Sequence, residues 1–162
     1  IGEDPTLALR RDLDLIRVLD DLGYDEAWIG EHHSAGFEII ASPELFIAAA
    51  AERTARIKLG TGVVSLPYHN PLMVANRVIQ LDHMTRGRVM FGAGPGLLPS
   101  DAKMLGIPVA KQRDRMAESL GAISLAGPSS RLPDERIKQL GPLVAHTAEE
   151  LTRRLGGHSP HK

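Results

Sequence analysis

Residues 57–71, IKLGTGVVSLPYHNP, pass from one kind of chain to another, and that passage decides the fold. Residues 57–64 are a short β-type run of Ile, Leu and Val interrupted by Lys58 and by Gly60-Thr61-Gly62. Such a run suits a strand covered on both sides. Asn70-Pro71 then opens a helix, because an oxygen-bearing cap precedes a proline at the first helical position, where the missing N–H would be unpaired anyway. Asp4-Pro5 and Ser42-Pro43 repeat the signal, and each precedes an amphipathic stretch. After the first, Leu9, Leu13, Ile16, Leu19 and Leu22 form one stripe that stops at Gly23. After Asn70, Val74, Val78 and Leu81 form a stripe before a turn at Thr85-Arg86-Gly87. The alanine-rich helix after Ser42 is expected over 43–54, and Met116, Leu120 and Ile123 mark a fourth helix.

Working outward, residues 24–30 and 88–93 are β-type runs of the same kind, with Trp28 most simply a core residue. Strands alternating with helices imply parallel β-α-β units. The expected fold class is therefore α/β, with about three parallel strands and four helices. From residue 121 to 133 the sequence GAISLAGPSSRLP carries Gly, Pro and Ser in the manner of a linker. Thr147 and Glu150 have the spacing of a capping box, so a short helix through Leu155 is expected beyond it. The expected organisation is one domain over 1–120 and a linker with a short helical tail over 121–162.

The chain has 162 residues, 43% of them apolar, which is enough for one packed core. With 19 Lys and Arg against 20 Asp and Glu, the net charge of -1 provides no field to hold nucleic acid or an anionic membrane. No cysteine is present, which excludes disulfides, thiolate metal sites and cysteine nucleophiles. No apolar run approaches the roughly 20 residues of a membrane span, and IGEDPTLALRR lacks the regions of a signal peptide. A cytoplasmic location is expected by default. The first residue is Ile1 rather than Met, which reads as a piece of a longer chain.

Glu31-His32-His33 follows the first β-type run, at the carboxyl end where parallel sheets place their active sites. A metal reading is disfavoured, since neighbouring residues of an extended chain point to opposite faces. A histidine that donates or accepts a proton, or bonds a ligand, is the functional reading. A pair packed beneath a loop is the structural alternative. Gly92-Ala93-Gly94-Pro95-Gly96 lacks the third glycine of the dinucleotide fingerprint, having Leu97 there, and Pro95 removes a donor. These glycines offer close approach of a ligand to backbone, or simply a tight strand exit. Gly60-Thr61-Gly62 reads likewise as a bulge or a ligand floor. His69 precedes a helix cap and is expected to brace that loop, while Arg113 and Glu118 lie on a solvated helix face.

Taken together, EAWIGEHH (26–33), KLGTGVVSLPYHNP (58–71) and QLDHMTRGRVMFGAGPGL (80–97) resemble the bacterial luciferase-like flavin monooxygenases. The motifs stand in that family's order and spacing, and the resemblance covers residues 2 to about 120, with no match seen beyond Gly121. It implies a (β/α)8 TIM-type barrel that binds reduced FMN at the carboxyl ends of the strands, activates O2 and oxygenates a small organic substrate. The reduced flavin is then supplied by NAD(P)H or a reductase. A related branch uses a deazaflavin and transfers hydride without oxygen. The resemblance makes His32 the first catalytic candidate and His33 the second. It sets the Gly62-Val63 peptide, at a strand bulge often carrying a cis bond, against the flavin ring, and Gly94 beside the ring's reactive edge. Pro95 departs from the luciferases, which have an arginine there for the phosphate.

A complete barrel of this type takes about 250 residues. Three strands amount to a partial barrel, expected to hold flavin weakly or not at all. The other reading is a non-catalytic α/β module that forms a homo-oligomer or needs a complementing chain to finish its sheet.

Overall fold

The computed structural model describes residues 2–34, 36 and 38–125. The chain begins with helix α1 (Pro5–Asp21), where Asp4 accepts a hydrogen bond from the Thr6 N–H at 2.7 Å, and turns at Gly23 with φ +84°. Strand β1 (Glu26–Ile29) follows, then α2 (Pro43–Ala51), β2 (Lys58–Thr61) and the two-residue β3 (Val64–Ser65). A single 3-10 turn (Leu66–Tyr68) leads into α3 (Pro71–Thr85), whose Asn70 cap accepts from the Met73 N–H at 3.2 Å. Strands β4 (Val89–Met90) and β5 (Ala93–Gly94), helix α4 (Pro99–Met104) and helix α5 (Gln112–Leu125) complete the described chain.

All the pairings are parallel. Strands β1, β2 and β4 lie side by side in that order, and β3 pairs with β5. This is the expected α/β class, a partial (β/α) arrangement. The strand count differs from three because residues 57–64 and 88–93 each break in the middle. The first break is at Gly62–Val63, whose peptide is cis, and the second at Phe91-Gly92. The two breaks are tied to each other: Gly92 N donates to Thr61 Oγ1 at 3.0 Å, and the Thr61 hydroxyl donates to the Gly92 carbonyl at 2.8 Å. The fifth helix is α4, which has no apolar stripe to announce it.

Helices cover one face of the sheet. Ile16, Ala27, Ile29, Phe46, Ile47 and Leu59 belong to the larger core cluster, with Leu9, Leu13 and Leu19 packed against it. A second cluster joins Val64, Leu66 and Val74 to Val78, Met116, Leu120 and Ile123. The expected stripes are therefore correct except at Leu22, which is exposed beyond the end of α1. Two-sided burial of the strands is not observed in β1, where Ala27 and Ile29 are buried but Glu26 and Trp28 are not. Trp28 is 54% exposed and is not core; its ring lies over the backbone of Gly60, its partner across the β1–β2 ladder. In β1 this follows from helices packing on one side alone, whereas β2 and β3 are buried on both faces, at Leu59, Gly60, Thr61, Val64 and Ser65.

Two polar residues satisfy backbone that no ladder reaches. Buried Asp20, at the end of α1, accepts from the N–H groups of Ala55, Arg56 and Ile57 at 2.7, 3.1 and 2.7 Å. Arg88 donates to the carbonyls of Ala51, Thr54, Ile57 and Thr85. Together they fix the approach to β2. Helix α2 stops at Ala51 rather than Thr54, whose hydroxyl turns back onto the Ala50 carbonyl. Ser42 makes no side-chain cap bond; its hydroxyl donates to Glu44 instead. The linker-like composition after residue 120 begins inside a helix, because α5 runs on to Leu125. The Thr147 and Glu150 capping box lies outside the described residues.

Candidate active site

The turn from β1 into the following loop brings Glu31, His32 and His33 to the carboxyl end of the sheet. Glu31 is buried, at 4% exposure, and is the hub. Its Oε1 accepts from His33 Nε2 at 2.8 Å and from His69 Nε2 at 2.7 Å, and its Oε2 accepts from the Ser65 N–H at 2.7 Å. Burial pushes the Glu31 carboxyl up, but hydrogen bonds from His69 and Ser65 outweigh it and hold the group below the ordinary carboxylate range. Both histidines thus face an ionised acceptor. His69, expected to brace its loop, does so by tying the segment before α3 to the end of β1.

His32 turns the other way, as alternation along an extended chain requires. Its Nε2 lies 2.8 Å from Glu38 Oε2, and its Nδ1 lies 3.6 Å from Asp101 Oδ2. The second distance is too long for a hydrogen bond, and His32 Nδ1 is a buried nitrogen without a hydrogen-bond partner among the described residues. Asp101 is buried on α4 and receives the hydroxyl of Ser34, which also bonds Ser100. Burial raises the Asp101 carboxyl, while Ser34, the His33 N–H and the nearby imidazoles together lower it below its usual range.

Tyr68 connects the histidine cluster to α5. Its ring meets His33 edge-on with centroids 6.0 Å apart, and its hydroxyl accepts from Gln112 Nε2 at 2.8 Å. Burial first, then the charges of Asp101 and Glu31, raise the Tyr68 hydroxyl above its ordinary value, keeping it protonated. Gly96, with φ +80°, passes so close to this hydroxyl that a side chain there would collide with it.

A cavity of about 510 Å³ opens between α1 and the end of β1. Gly30, His32, Glu38, Ile40 and Gly62 line one side, and Arg11 the other. The residues singled out in the sequence therefore divide into two groups. His32 and Gly62 share the cavity. Val63 packs on Gly94, where an added Cβ would lie 2.6 Å from Val63 Cγ2. His33 belongs to the Glu31 cluster. Sequence reasoning missed Glu38, Tyr68 and Asp101. Only Asp101 had a signal, the Leu98-Pro99 step that starts α4 without a polar cap.

Parallel strands, helices on one face and a cluster of histidines and carboxylates at the carboxyl ends define an α/β enzyme domain. The chain belongs to the luciferase-like monooxygenase family, whose description matches residues 2–154. That match runs past residue 120, where the motif resemblance stops, and so corrects its extent. Among characterised relatives, 4-hydroxyprotoasukamycin monooxygenase of Streptomyces nodosus subsp. asukaensis is 63% identical, over 76% of this chain and 33% of its own. Limonene 1,2-monooxygenase of Rhodococcus erythropolis is 59% identical, over 74% of this chain and 31% of its own. The chain thus spans about a third of the length of these relatives. A similar solved structure is the oxygenating constituent of 3,6-diketocamphane monooxygenase from Pseudomonas putida, a type II Baeyer-Villiger monooxygenase in complex with FMN. Its TM-score is 0.72 at 32% identity, covering 75% of this chain and 35% of that one. Among the described residues no helix is long and apolar enough to cross a membrane.

Proposed function

We propose that the chain is part of a flavin-dependent monooxygenase that inserts one oxygen atom of O2 into a small organic substrate. The observation that carries this reading is His32, which lines a cavity of small-molecule size together with Gly30, Glu38 and Gly62. Gly30 and Gly62 give that wall no Cβ, and a Cβ built on Gly30 meets nothing closer than the Gly62 carbonyl oxygen at 3.6 Å. These features fit a flat ring bearing heteroatoms. FMN, once reduced by NAD(P)H or a reductase, supplies the electrons that activate O2.

In this reading Gly62, Val63 and Gly94 present backbone to the ring, and His32 bonds the ring or the substrate. Glu38 orients His32 through Nε2, leaving Nδ1 toward the interior with Asp101 behind it. The relatives' named substrates point to apolar molecules or ketones as the substrate class. The test is titration of the chain with FMN, followed by flavin fluorescence and absorption. Saturable binding that His32→Ala weakens supports the reading; no change in either signal up to millimolar FMN counts against it.

A second reading has one observation in its favour. Trp28 and Val63 are exposed on the sheet face that no described helix covers. A complementing chain or a second copy laid on this face would bury them. Size-exclusion chromatography with light scattering tests this, and a monodisperse monomer at all concentrations removes it.

A further inference from the structure

We propose that Glu31 is the positioning residue of this site: it holds His33 and His69 both as Nε2–H tautomers, so that Nδ1 of His33 is the nitrogen that accepts a proton. This rests on the reading of the cluster as part of an active site, and it assigns Glu31, Arg77 and one nitrogen of His33 a task.

The argument is one of donors and acceptors. An ionised carboxylate accepts hydrogen bonds and donates none. Glu31 Oε1 lies 2.8 Å from His33 Nε2 and 2.7 Å from His69 Nε2, so each of those nitrogens carries a hydrogen. Glu31 Oε2 is already engaged by the Ser65 N–H. Buried and bonded on both oxygens, the carboxylate stays charged, as the lowering of its pKa by His69 and Ser65 against the effect of burial requires.

His69 is fixed from its other side as well. Arg77 Nη2 lies 3.5 Å from His69 Nδ1, and a guanidinium only donates, so Nδ1 of His69 presents its lone pair to Arg77. Arg77 Nε also lies 3.4 Å from Glu44 Oε1, an ion pair without a hydrogen bond between the two atoms. His69 therefore has both ring nitrogens committed and is a brace. Among the described residues the His33 ring has one hydrogen bond, to Glu31, and an edge-on contact with Tyr68. A proton accepted at His33 Nδ1 gives an imidazolium whose other N–H already meets the Glu31 charge, and release of that proton restores the Nε2–H form. The carboxylate thus orients the ring without itself being protonated.

The test reads tautomers directly, on the chain labelled with ¹⁵N-histidine, by long-range ¹H–¹⁵N correlation. Signals are assigned with His33→Gln and His69→Gln. Expected are Nε2–H patterns for both His33 and His69, with the alternative tautomer disfavoured on the order of tenfold or more, the ratio a charge-assisted hydrogen bond supports. In Glu31→Ala no carboxylate remains for either imidazole. Arg77 still faces Nδ1 of His69, so His33 is expected to lose its bias and His69 to keep its own. If that variant does not fold, Glu31→Asp is read in the same way, its shorter reach expected to lower the His33 bias. A wild-type His33 that is mainly Nδ1–H overturns the proposal, as does a folded variant with an unchanged His33 pattern. Flavin takes no part in this measurement. Failed FMN binding with the expected tautomers would remove the proposed function and leave the assignment to Glu31 standing, and the reverse result would do the opposite.

Discussion

Glu31 Oε1 lies 2.7 Å from Nε2 of His69, across 38 positions of sequence, and this contact joins the end of the first strand to the segment that starts α3. The carboxylate also receives His33 and the Ser65 N–H, so three donors depend on one buried group. Replacing Glu31 by Ala leaves those donors without an acceptor in the interior. The expected loss is about 3 kcal/mol of folding stability, at the level found when one partner of a buried pair is removed. Urea denaturation followed by circular dichroism measures it.

The same residue sets an acid sensitivity. The folded Glu31 carboxyl lies below its ordinary value of 4.5, which approximates the unfolded chain. The unfolded state then binds the proton more readily than the folded one, so the contribution is fully present above about pH 4.5 and is lost as pH falls through the folded value. Denaturation midpoints between pH 7 and 3 should fall more steeply for the wild-type chain than for Glu31→Gln. Parallel curves would show that Glu31 does not govern this range.

His32 should behave in the opposite way. Its Nδ1 has no hydrogen-bond partner among the described residues, and its Nε2 meets Glu38, which is exposed. His32→Ala is expected to weaken FMN binding by about tenfold, the loss of one hydrogen bond to a ligand, while changing folding stability by less than about 1 kcal/mol. Paired flavin titration and thermal melts separate the two effects.

Two neighbouring glycines should respond differently to alanine. A Cβ on Gly92 collides with the carbonyl oxygen of Thr61, which is backbone and paired in the sheet. A Cβ on Gly94 meets Val63 Cγ2 at 2.6 Å, which is side chain. Both variants are expected to lose about 2 kcal/mol. Adding Val63→Ala should restore Gly94→Ala, whereas no side-chain trimming restores Gly92→Ala; melting temperatures of the four proteins decide it.

Asp20 offers a test of the scaffold away from the site. It caps three N–H groups before β2, and those bonds, the one from Ala55 foremost, hold its carboxyl below the usual range. Asp20→Ala is expected to cost about 2 kcal/mol and to leave the His33 and His69 tautomers unchanged, as stability and histidine spectra together will show.

The sequence by itself determined the order and type of the long elements, because these rest on local chemistry: proline at a helix start, apolar residues at helical spacing, glycine where the chain must turn. It also placed Glu31-His32-His33 and Gly62-Val63 at strand ends, and its motifs pointed to the family. Tertiary structure decided which face of each strand is covered, and so left Trp28 exposed over Gly60 rather than buried. It decided that His32 and His33 serve different partners, and that Asp101 from α4 and His69 from before α3 stand beside them. The contacts that bring Ser65, His69 and Asp101 to Glu31 and His32 join residues 34 to 69 positions apart, and a pattern read along the chain has no term for them; Coulomb forces and hydrogen bonds act only once packing has brought the groups within a few ångströms.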